Sequence, residues 1–365
     1  MKKSGGCILK LGVIGCGYWG PNLVRSAVET NRCSQIFCCD PSPAALARVL
    51  RRFPCVSPVE HLDDIIHRCD ALVVATPVST HYDIAKRILE RGKAVLVEKP
   101  LAISSLQARE LAELAGDKDL TLMVGHTFVY SPAVRKVKEY IRDGILGDIY
   151  FLSSSRVNLG IHQKDIDVLW DLAPHDLSIL LYWLEENPSC VSAIGRSCVG
   201  SLPDIASVHY RFPSGILANL EVSWLAPSKL RRTVLVGSRS MLIYDDTNLA
   251  EKVKLYDKGV DLRTPESFGE YQLTYRTGEI VSPNLSATEP LLIEINHFLD
   301  CVESGAQPET DGQTGLNVVL ALEAASNSMR SNGQVMTIDY CAVPAPMPAA
   351  ELAQAPPEFV PPTLP

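Results

Sequence analysis

The sequence predicts an α/β protein with a doubly wound parallel sheet in its N-terminal part and a mainly antiparallel sheet in its C-terminal part. Up to residue 142, apolar runs alternate with amphipathic helices, which is the pattern of a parallel sheet. Between residues 149 and 244, strand-like runs follow one another, which is typical of antiparallel pairing. The 365 residues are long enough for two domains.

The first strand leads directly into a glycine-rich turn, Gly15-Cys-Gly17-Tyr18-Trp19-Gly20, and a helix is predicted after it. Gly15 permits the tight turn, Gly17 lets backbone approach a pyrophosphate, and Gly20 allows close helix–strand packing. The pyrophosphate would lie on the free N–H groups of the helix N-terminus. We therefore predict that these residues, including Tyr18 and Trp19, bind a dinucleotide. The alternative is a glycine-rich turn that binds none.

The predicted dinucleotide is NAD, with NADP less favoured. Asp40 lies twenty residues beyond Gly20, at the end of the next apolar run, where a carboxylate accepts hydrogen bonds from the adenosine ribose. Neither Arg nor Lys follows it until Arg48, so a 2′-phosphate would meet an unbalanced carboxylate. The alternative role of Asp40 is to cap the helix predicted near Pro43.

The elements divide into an NAD-binding domain at 8–127, a substrate and oligomerisation domain at 128–340, and a Pro/Ala-rich tail at 341–365 that is predicted to be disordered. In the first part, the predicted strands are 11–14, 35–39, 71–75, 93–98 and 121–125, and the helices 43–52, 80–91, 104–115 and 132–142. In the second part, the strands are 149–157, 191–194, 206–212, 217–224, 233–236, 241–244 and a possible return at 335–338, and the helices 172–185, 290–303 and 311–330.

Composition excludes several classes of protein. No apolar run reaches the roughly 18 residues that span a bilayer, and the formal charge of −8 argues against a non-specific nucleic-acid binder. The eleven cysteines lack C-x-x-C spacing, so no metal site is predicted. Together with the lack of a secretion signal, this pattern predicts a reducing cytoplasm. The apolar run 217–224 predicts burial against a second subunit, as in a homodimer or homotetramer, or beneath helices of this chain.

Lys99 is the first candidate catalytic residue, because Glu98-Lys99-Pro100 ends a predicted parallel strand. Ligands lie beyond the carboxyl ends of such strands, so Lys99 is expected to point into the cofactor crevice. Pro100 restricts Lys99 to extended backbone. A partly desolvated Lys can hold a substrate hydroxyl or share its proton. The alternative is a surface cation.

Asp171 and His175 form the second candidate set. If Asp171 is an N-cap, Pro174 falls in the first helical turn, where proline is tolerated, and His175 lies on the same face as Asp171. A His that titrates near neutral pH is a natural acceptor for a hydroxyl proton. Asp171 can orient it or bind a neighbouring hydroxyl. The alternative is that Asp171 only caps and His175 only packs.

Together with the glycine turn, four segments resemble the glucose–fructose oxidoreductase/inositol dehydrogenase/MocA (Gfo/Idh/MocA) family over roughly residues 9–340: Ala75-Thr-Pro-Val-Ser-Thr-His81, Glu98-Lys-Pro100, Gly125-His-Thr-Phe128 and Asp171…His175. The resemblance implies an NAD-dependent oxidoreductase with an N-terminal Rossmann domain and a C-terminal α/β domain that contains a large open, mainly antiparallel sheet. Its implied catalytic residues are Lys99, Asp171 and His175. It also implies further cofactor-binding residues, namely Thr76, Pro77 and His81 near the nicotinamide, Glu98, Lys99, His126 (where the family often has Asn) and Trp170.

Arg156-Val-Asn158-Leu-Gly160, followed by Trp170 to Asp176, resembles the nucleotide-sugar branch of this family, which includes UDP-N-acetylglucosaminuronate 3-dehydrogenases and dTDP-sugar 3-ketoreductases. Arg156 would suit a hexuronate carboxylate or a diphosphate by bidentate pairing, and the basic cluster 229–232 could meet the diphosphate. The alternative for Arg156 is a solvated arginine on a strand. The alternative for the cluster 229–232 is a charged strand end at the surface. The implied substrate-binding residues are Lys99, Arg156, Asn158, Asp171, His175, Lys229 and Arg231.

The resemblance implies hydride transfer between NAD and C3 of a UDP- or dTDP-linked hexose or hexuronate. Retention of His175, which is Tyr in some members of the branch, favours the 3-dehydrogenase type. The alternative is a dehydrogenase of a free polyol or sugar such as inositol or glucose, which would not need the basic residues. A non-catalytic dinucleotide sensor would be expected to lack Lys99 or His175.

Overall fold

The computed structural model describes residues 9–160, 166–263 and 272–341. The predicted tail from 342 onward lies outside these residues. Within the described ranges, none of the helices combines the length and the apolar character that a membrane crossing requires.

Six parallel strands form the N-terminal sheet, with helices between them. The elements are β1 (Leu9–Ile14), α1 (Gly20–Glu29), β2 (Cys33–Cys39), α2 (Pro43–Arg52), β3 (Val56–Val59), α3 (Leu62–Arg68), β4 (Ala71–Val74), α4 (His81–Glu90), β5 (Ala94–Glu98), α5 (Ser105–Asp117), β6 (Leu122–Gly125) and α6 (Pro132–Arg142). The strand order is β3-β2-β1-β4-β5-β6, so the order reverses between β1 and β4. This reversal opens a crevice at the carboxyl ends of the strands and confirms the predicted Rossmann sheet.

Nine strands form the second sheet. Its elements are β7 (Ile149–Val157), α7 (Val168–Leu184), β8 (Cys190–Arg196), β9 (Ile205–Arg211), β10 (Leu217–Ser223), β11 (Leu230–Gly237), β12 (Met241–Asp245), β13 (Val253–Arg263), β14 (Gln272–Val281), α8 (Pro290–Ser304), α9 (Gly312–Arg330) and β15 (Met336–Thr337). The order is β14-β13-β12-β11-β7-β10-β9-β8-β15. Only β7 and β10 pair in parallel among these neighbours, so the sheet of the described residues is mainly antiparallel, as predicted.

The sequence analysis missed β3, α3, β13 and β14. Pro58 lies inside β3, and proline is tolerated there because β3 is an edge strand. α3 has seven residues, too few for a clear helical periodicity. Charged residues and Gly259 interrupt the apolar alternation of β13.

The predicted start of α7 is wrong. The helix begins at Val168, and its N-cap is Asp167, whose carboxylate accepts a hydrogen bond from Trp170 N at 3.0 Å. Pro174 therefore lies inside the helix and leaves the carbonyl of Trp170 without its helical donor. Asp171 and His175 still share one face, since they remain four residues apart.

Helices of this chain cover the apolar face of β10. Ala218, Leu220 and Val222 are buried in one core with residues of α7. The second alternative for the run 217–224 is thus correct, and this run gives no argument for a second subunit.

α8 returns to the N-terminal sheet and packs against α1. Arg25 of α1 pairs with Glu289 at 2.6 Å, and Arg32 pairs with Glu303 of α8 at 2.8 Å. The C-terminal part of the chain thereby contributes a helix beside the crevice. The proposed boundary at 127/128 falls in a 3-10 turn, Thr127–Tyr130, that joins the two parts.

Candidate active site

The glycine-rich turn has the geometry that a pyrophosphate requires. Gly15 has φ +96°, and a Cβ there would lie 2.5 Å from the Ala75 carbonyl oxygen. A Cβ on Gly20 would collide with the Gly15 carbonyl, whereas Gly17 faces open space within the described chain. The N-cap of α1, Trp19, makes no side-chain capping bond, so the N–H groups of this turn suit an anionic ligand.

Asp40 closes the turn from the end of β2. Its Oδ2 accepts Cys16 N–H at 2.6 Å, and its Oδ1 accepts Ser42 N–H at 2.7 Å. Ser42, not Asp40, caps α2, because its hydroxyl accepts Ala45 N–H at 3.3 Å. The capping alternative for Asp40 is therefore wrong. Each carboxylate oxygen keeps a further lone pair that can accept a ribose hydroxyl.

Residues after β1 and β4 line the rim of the crevice. Tyr18 is largely exposed, while the Thr76 hydroxyl accepts from Thr80 at 2.8 Å in the turn that Pro77 opens. His81 is buried, and its ring nitrogens lie 2.9 Å from the carbonyl oxygens of Pro100 and Thr76. Both nitrogens face backbone, so we expect His81 to hold this turn rather than to touch the cofactor.

Lys99 and Asp171 meet between the two sheets. Lys99 Nζ donates to the Asp171 carbonyl at 2.7 Å and to its Oδ1 at 3.3 Å. The indole of Trp224 donates to Asp171 Oδ2 at 3.1 Å. The Lys99 side chain is 17% exposed, so the surface-cation alternative is wrong. The Lys99–Pro100 peptide is cis.

His175 lies beside this pair, with its ring edge-on to Phe128 at a centroid distance of 5.0 Å. Burial, and then the positive charges of Lys99 and Arg156, hold the pKa of His175 well below its ordinary value. This environment differs from the expected titration near neutral pH and favours a neutral imidazole for His175 at pH 7. Its Nδ1 is buried without a hydrogen-bond partner among the described residues.

Arg156 is buried and paired, which overturns the solvated-Arg alternative. Its Nε lies 2.6 Å from Asp176 Oδ2 and its Nη2 3.2 Å from Oδ1. A buried guanidinium needs such a partner. Asp176 already occupies the Nε/Nη2 edge, so a bidentate contact of Arg156 with substrate would have to use another edge of the guanidinium and stays a prediction. Nη1 is buried with no partner in the described part of the chain.

Phe128 connects His175 to the basic residues. The guanidinium carbons of Arg156 and Arg231 lie 4.6 Å and 5.4 Å from the centre of its ring. The charge of Arg231, and then burial, lower the pKa of Lys229, which places these two cations near each other.

Asn158 and Trp170 are the remaining predicted contacts. Asn158 follows β7, and its backbone N–H donates to Ser223 O at 3.1 Å, at the end of β10. Trp170 Nε1 donates to Ser326 Oγ of α9 at 2.9 Å, which fixes the indole against that helix. A direct contact of either residue with a ligand stays a prediction.

The sequence analysis did not assign roles to Phe128, Trp224, Asp176 and Asp167. Phe128 lies in the recognised motif Gly125–Phe128, and Asp176 directly follows His175, but neither residue was assigned a role. Trp224 is the last residue of the predicted strand 217–224 and directly follows β10 in the structure, at a strand end where ligand-facing side chains collect. No local signal distinguished Asp167 from Asp171 as the cap.

Two family models match the chain. The model described as "Oxidoreductase family, NAD-binding Rossmann fold" matches residues 9–126, and the "GFO/IDH/MocA C-terminal domain" model matches residues 134–243.

Among curated relatives, the UDP-N-acetylglucosamine 3-dehydrogenase of Acidithiobacillus ferrooxidans is 26% identical over 314 residues, 86% of this chain and 95% of that protein. The scyllo-inositol 2-dehydrogenase (NAD(+)) of Bacillus subtilis is 25% identical over 349 residues, 91% of this chain and 96% of that protein. A solved structure of the former enzyme superposes with a TM-score of 0.74 at 25% identity, covering 88% of this chain and 97% of that one.

Proposed function

Since the chain belongs to the Gfo/Idh/MocA family of NAD-binding oxidoreductases, we propose that it transfers hydride between NAD and C3 of a nucleotide-linked sugar, a UDP- or dTDP-hexose or hexuronate. It is an enzyme that acts on CH–OH groups. The similarity to a UDP-sugar 3-dehydrogenase over most of both chains supports this choice of substrate.

The observation that carries the proposal is a pair of facing cations. Arg156 on β7 and Arg231 on β11 are direct cross-strand neighbours, and both lie over Phe128. Like charges in this position destabilise a sheet unless anions balance them. Asp176 balances Arg156 fully.

Arg231 is only partly balanced. It shares Asp246 with Lys252, at 3.3 Å and 2.9 Å respectively. Lys229 beside it forms no ion pair within the described residues, and its pKa is lowered by the charge of Arg231. Arg231 and Lys229 therefore suit an anionic group of the substrate, a diphosphate or a carboxylate, which a neutral polyol lacks.

The chemistry divides between His175 and Lys99. Neutral His175 accepts the proton of the reacting hydroxyl, and Lys99 donates a hydrogen bond to the same oxygen as negative charge develops on it. Asp171 holds the ammonium of Lys99 in place. Bound NAD supplies the acceptor for the hydride that leaves the carbon.

A free polyol is the second candidate substrate. It is favoured by the similarity to inositol 2-dehydrogenases, which extends over 91% of this chain for the scyllo-inositol enzyme. Lys99, Asp171 and His175 could act on a ring hydroxyl of inositol or glucose without any anion site. A direct comparison of substrates therefore decides between the two.

The experiment measures NADH fluorescence after mixing the protein with UDP- and dTDP-sugars, myo- and scyllo-inositol, and glucose. A keto acceptor is added in a parallel series, because tightly held cofactor would hide turnover without one. We expect turnover with a nucleotide sugar. Turnover with inositol alone would overturn the proposal. A homodimer or homotetramer is proposed as well, and light scattering after gel filtration tests it.

A further inference from the structure

The carboxylate of Asp171 is held from two sides, and each of its oxygens has its own donor. Lys99 Nζ donates to Oδ1 at 3.3 Å, and the indole N–H of Trp224 donates to Oδ2 at 3.1 Å. Trp224 is 2% exposed, so little water competes for this hydrogen bond. The indole therefore fixes the rotation of the carboxylate that faces Lys99.

The backbone of Trp224 is fixed where β7 and β10 end side by side. Its carbonyl accepts the N–H of Gly160 at 3.0 Å. The main chain of Asn158 binds the residues on either side of Trp224: it donates to Ser223 O at 3.1 Å and accepts from Ala226 N–H at 3.3 Å. These bonds continue the parallel pairing of the two strands beyond their last residues, so the indole is attached to a rigid part of the sheet.

Gly160 packs directly against this indole. A Cβ added at Gly160 would lie 2.8 Å from Trp224 Cδ1, which is closer than two carbon atoms pack. The backbone of Gly160 is not left-handed, so the close approach of the indole, and not the backbone conformation, requires a glycine here. The segment that ends at Gly160 thus packs on the side chain that holds Asp171.

We propose that Trp224 is a positioning residue: its indole N–H orients the Asp171 carboxylate so that Oδ1 holds the Lys99 ammonium toward the reacting hydroxyl. The inference rests on the proposed function, in which Lys99 and Asp171 take part. When the N–H is absent, the carboxylate can rotate about its Cβ–Cγ bond. The ammonium is then held by the Asp171 carbonyl alone among the described residues. A hydrogen bond to a charged group is stronger than one between neutral groups, so its loss has a measurable effect.

The first test measures how fast N-hydroxysuccinimidyl acetate acetylates Lys99, without sugar and at equal NAD⁺ content. Trypsin releases Lys99 in the segment 94–109, which contains no other lysine, so mass spectrometry reports on this residue alone. Trp224→Phe removes the N–H and keeps an aromatic ring, and we expect it to raise the rate about threefold or more because the ammonium is held less tightly. In an Asp171→Ala protein, Trp224→Phe is expected to cause no further change, since the residue that links the indole to Lys99 is gone.

Trp183→Phe is the matched control, because Trp183 is also buried and its indole N–H donates to the Val134 carbonyl at 2.9 Å. It should lose comparable stability and leave the acetylation of Lys99 unchanged. Gly160→Ala perturbs the same contact with the N–H retained, since the added Cβ must displace the indole, and it should raise the rate as well. Its control is Gly116→Ala, whose Cβ would meet no atom within 4 Å.

The second test separates kcat from KM for the sugar that the wild type oxidises. Trp224→Phe is expected to lower kcat about tenfold or more, and to change KM and the NAD⁺ dissociation constant less than about twofold, because the lost contact positions a group that acts in the transition state. Trp183→Phe should keep the wild-type kcat.

Three results would overturn the proposal. One is an acetylation rate in Trp224→Phe that stays at or below the wild-type value, and another is a rise by the same factor in the Asp171→Ala protein. The third is a normal kcat in a Trp224→Phe protein whose Lys99 is acetylated faster. If Trp224→Phe does not fold, Gly160→Ala is judged by the same criteria. Acetylation needs no sugar, so a wild type that oxidises no nucleotide sugar would overturn the proposed function, and acetylation would still decide the role of Trp224.

Discussion

Lys99 holds Asp171 by two atoms at once: its ammonium donates to the backbone carbonyl at 2.7 Å and to the carboxylate at 3.3 Å. Lys99 directly follows β5 of the Rossmann sheet, whereas Asp171 lies in the first turns of α7, one turn before His175. The contact therefore couples the cofactor crevice to the helix that carries the proposed base. Both residues are mostly shielded from solvent, which strengthens the pairing.

Replacement of Lys99 is expected to abolish oxidation and spare NAD affinity. Lys99→Ala removes the hydrogen bond to the reacting oxygen, and a positioned acid–base group contributes about 10²-fold or more. Turnover rates and calorimetric NAD binding are the measurements. Lys86→Ala, which removes a partly exposed ammonium paired with Glu110, is the control. A Lys99→Ala protein with more than about a tenth of the wild-type rate would show that Lys99 is not catalytic.

His175 is expected to give an acid limb at unusually low pH. Because its pKa is lowered well below the ordinary imidazole value, His175 stays neutral and active at pH 7. Log(kcat/KM) for oxidation should then fall with unit slope only as pH drops through that lowered pKa. His175→Asn should remove this limb and reduce the rate by about 10²-fold or more.

The control for His175 is His209→Asn, which alters an exposed imidazole on β9 and should leave the profile unchanged. An acid limb that survives in His175→Asn would assign the base to another group, and Lys99 would be examined next. A wild-type limb near pH 6.5 would contradict the lowered pKa of His175.

Substitution of Asp171 should lower activity, whereas substitution of Asp167 should lower stability. Asp171→Asn loses the ion pair with Lys99, so it should lower turnover with little loss of stability, since it is not the helix cap. Asp167→Ala removes the N-cap bond to Trp170 and should reduce the free energy of unfolding by about 1 kcal/mol. Denaturant unfolding and turnover of both variants are compared. An Asp171→Asn protein with normal turnover would reduce Asp171 to a packing role.

Asp40 should make NAD bind more tightly than NADP, because its carboxylate would face the 2′-phosphate. Asp40→Ser with an added Arg should narrow the difference, which calorimetric titration of both cofactors measures. Asp70→Ser is the control, because Asp70 also accepts a backbone N–H (Lys10, 2.8 Å) but precedes β4, at the opposite end of the sheet. Equal affinities in the wild type would show that Asp40 does not contact the ribose.

Features that depend on neighbours in sequence were predicted well. The glycine turn and Lys99 at the end of β5 follow from local pattern and from the geometry of parallel strands. The cap of α7 was misassigned because Asp167 and Asp171 both precede helix-forming residues, and Pro174 favours a start close to itself. The structure places that proline in the helix interior, where Lys99 supplies a donor to the Asp171 carbonyl nearby.

Features that depend on contacts between distant segments could not be predicted. Arg156 looked available for a ligand because its partner Asp176 lies on another element, twenty residues away. The pKa of His175 depends on burial and on cations from both parts of the chain, including Lys99. The burial of Glu294 could not be predicted, because α8 reaches this region through its packing on α1 and on the 3-10 turn Thr127–Tyr130.

Substitutions of Arg156 and Arg231 are expected to have different effects on stability and on KM, although the two residues are cross-strand neighbours. Arg156→Met leaves the buried carboxylate of Asp176 without its cation. Loss of one partner of such a pair lowers the free energy of unfolding by about 3–5 kcal/mol. Arg231→Met alters a partly exposed side chain, so stability should change little. Its KM for a UDP-sugar should rise at least about tenfold, because a charge-assisted hydrogen bond contributes about 1.5–3 kcal/mol.

Three measurements resolve the roles of these two arginines: denaturant unfolding, KM for a UDP-sugar, and KM for scyllo-inositol. Arg232→Met is the matched control, since Arg232 lies next to Arg231 on β11 but points to the opposite face of the sheet. Arg231→Met should leave the KM for any polyol unchanged, because a polyol has no anion for the guanidinium to bind. An equal rise for both substrates would mean that Arg231 shapes the site through Phe128 and not by binding an anion.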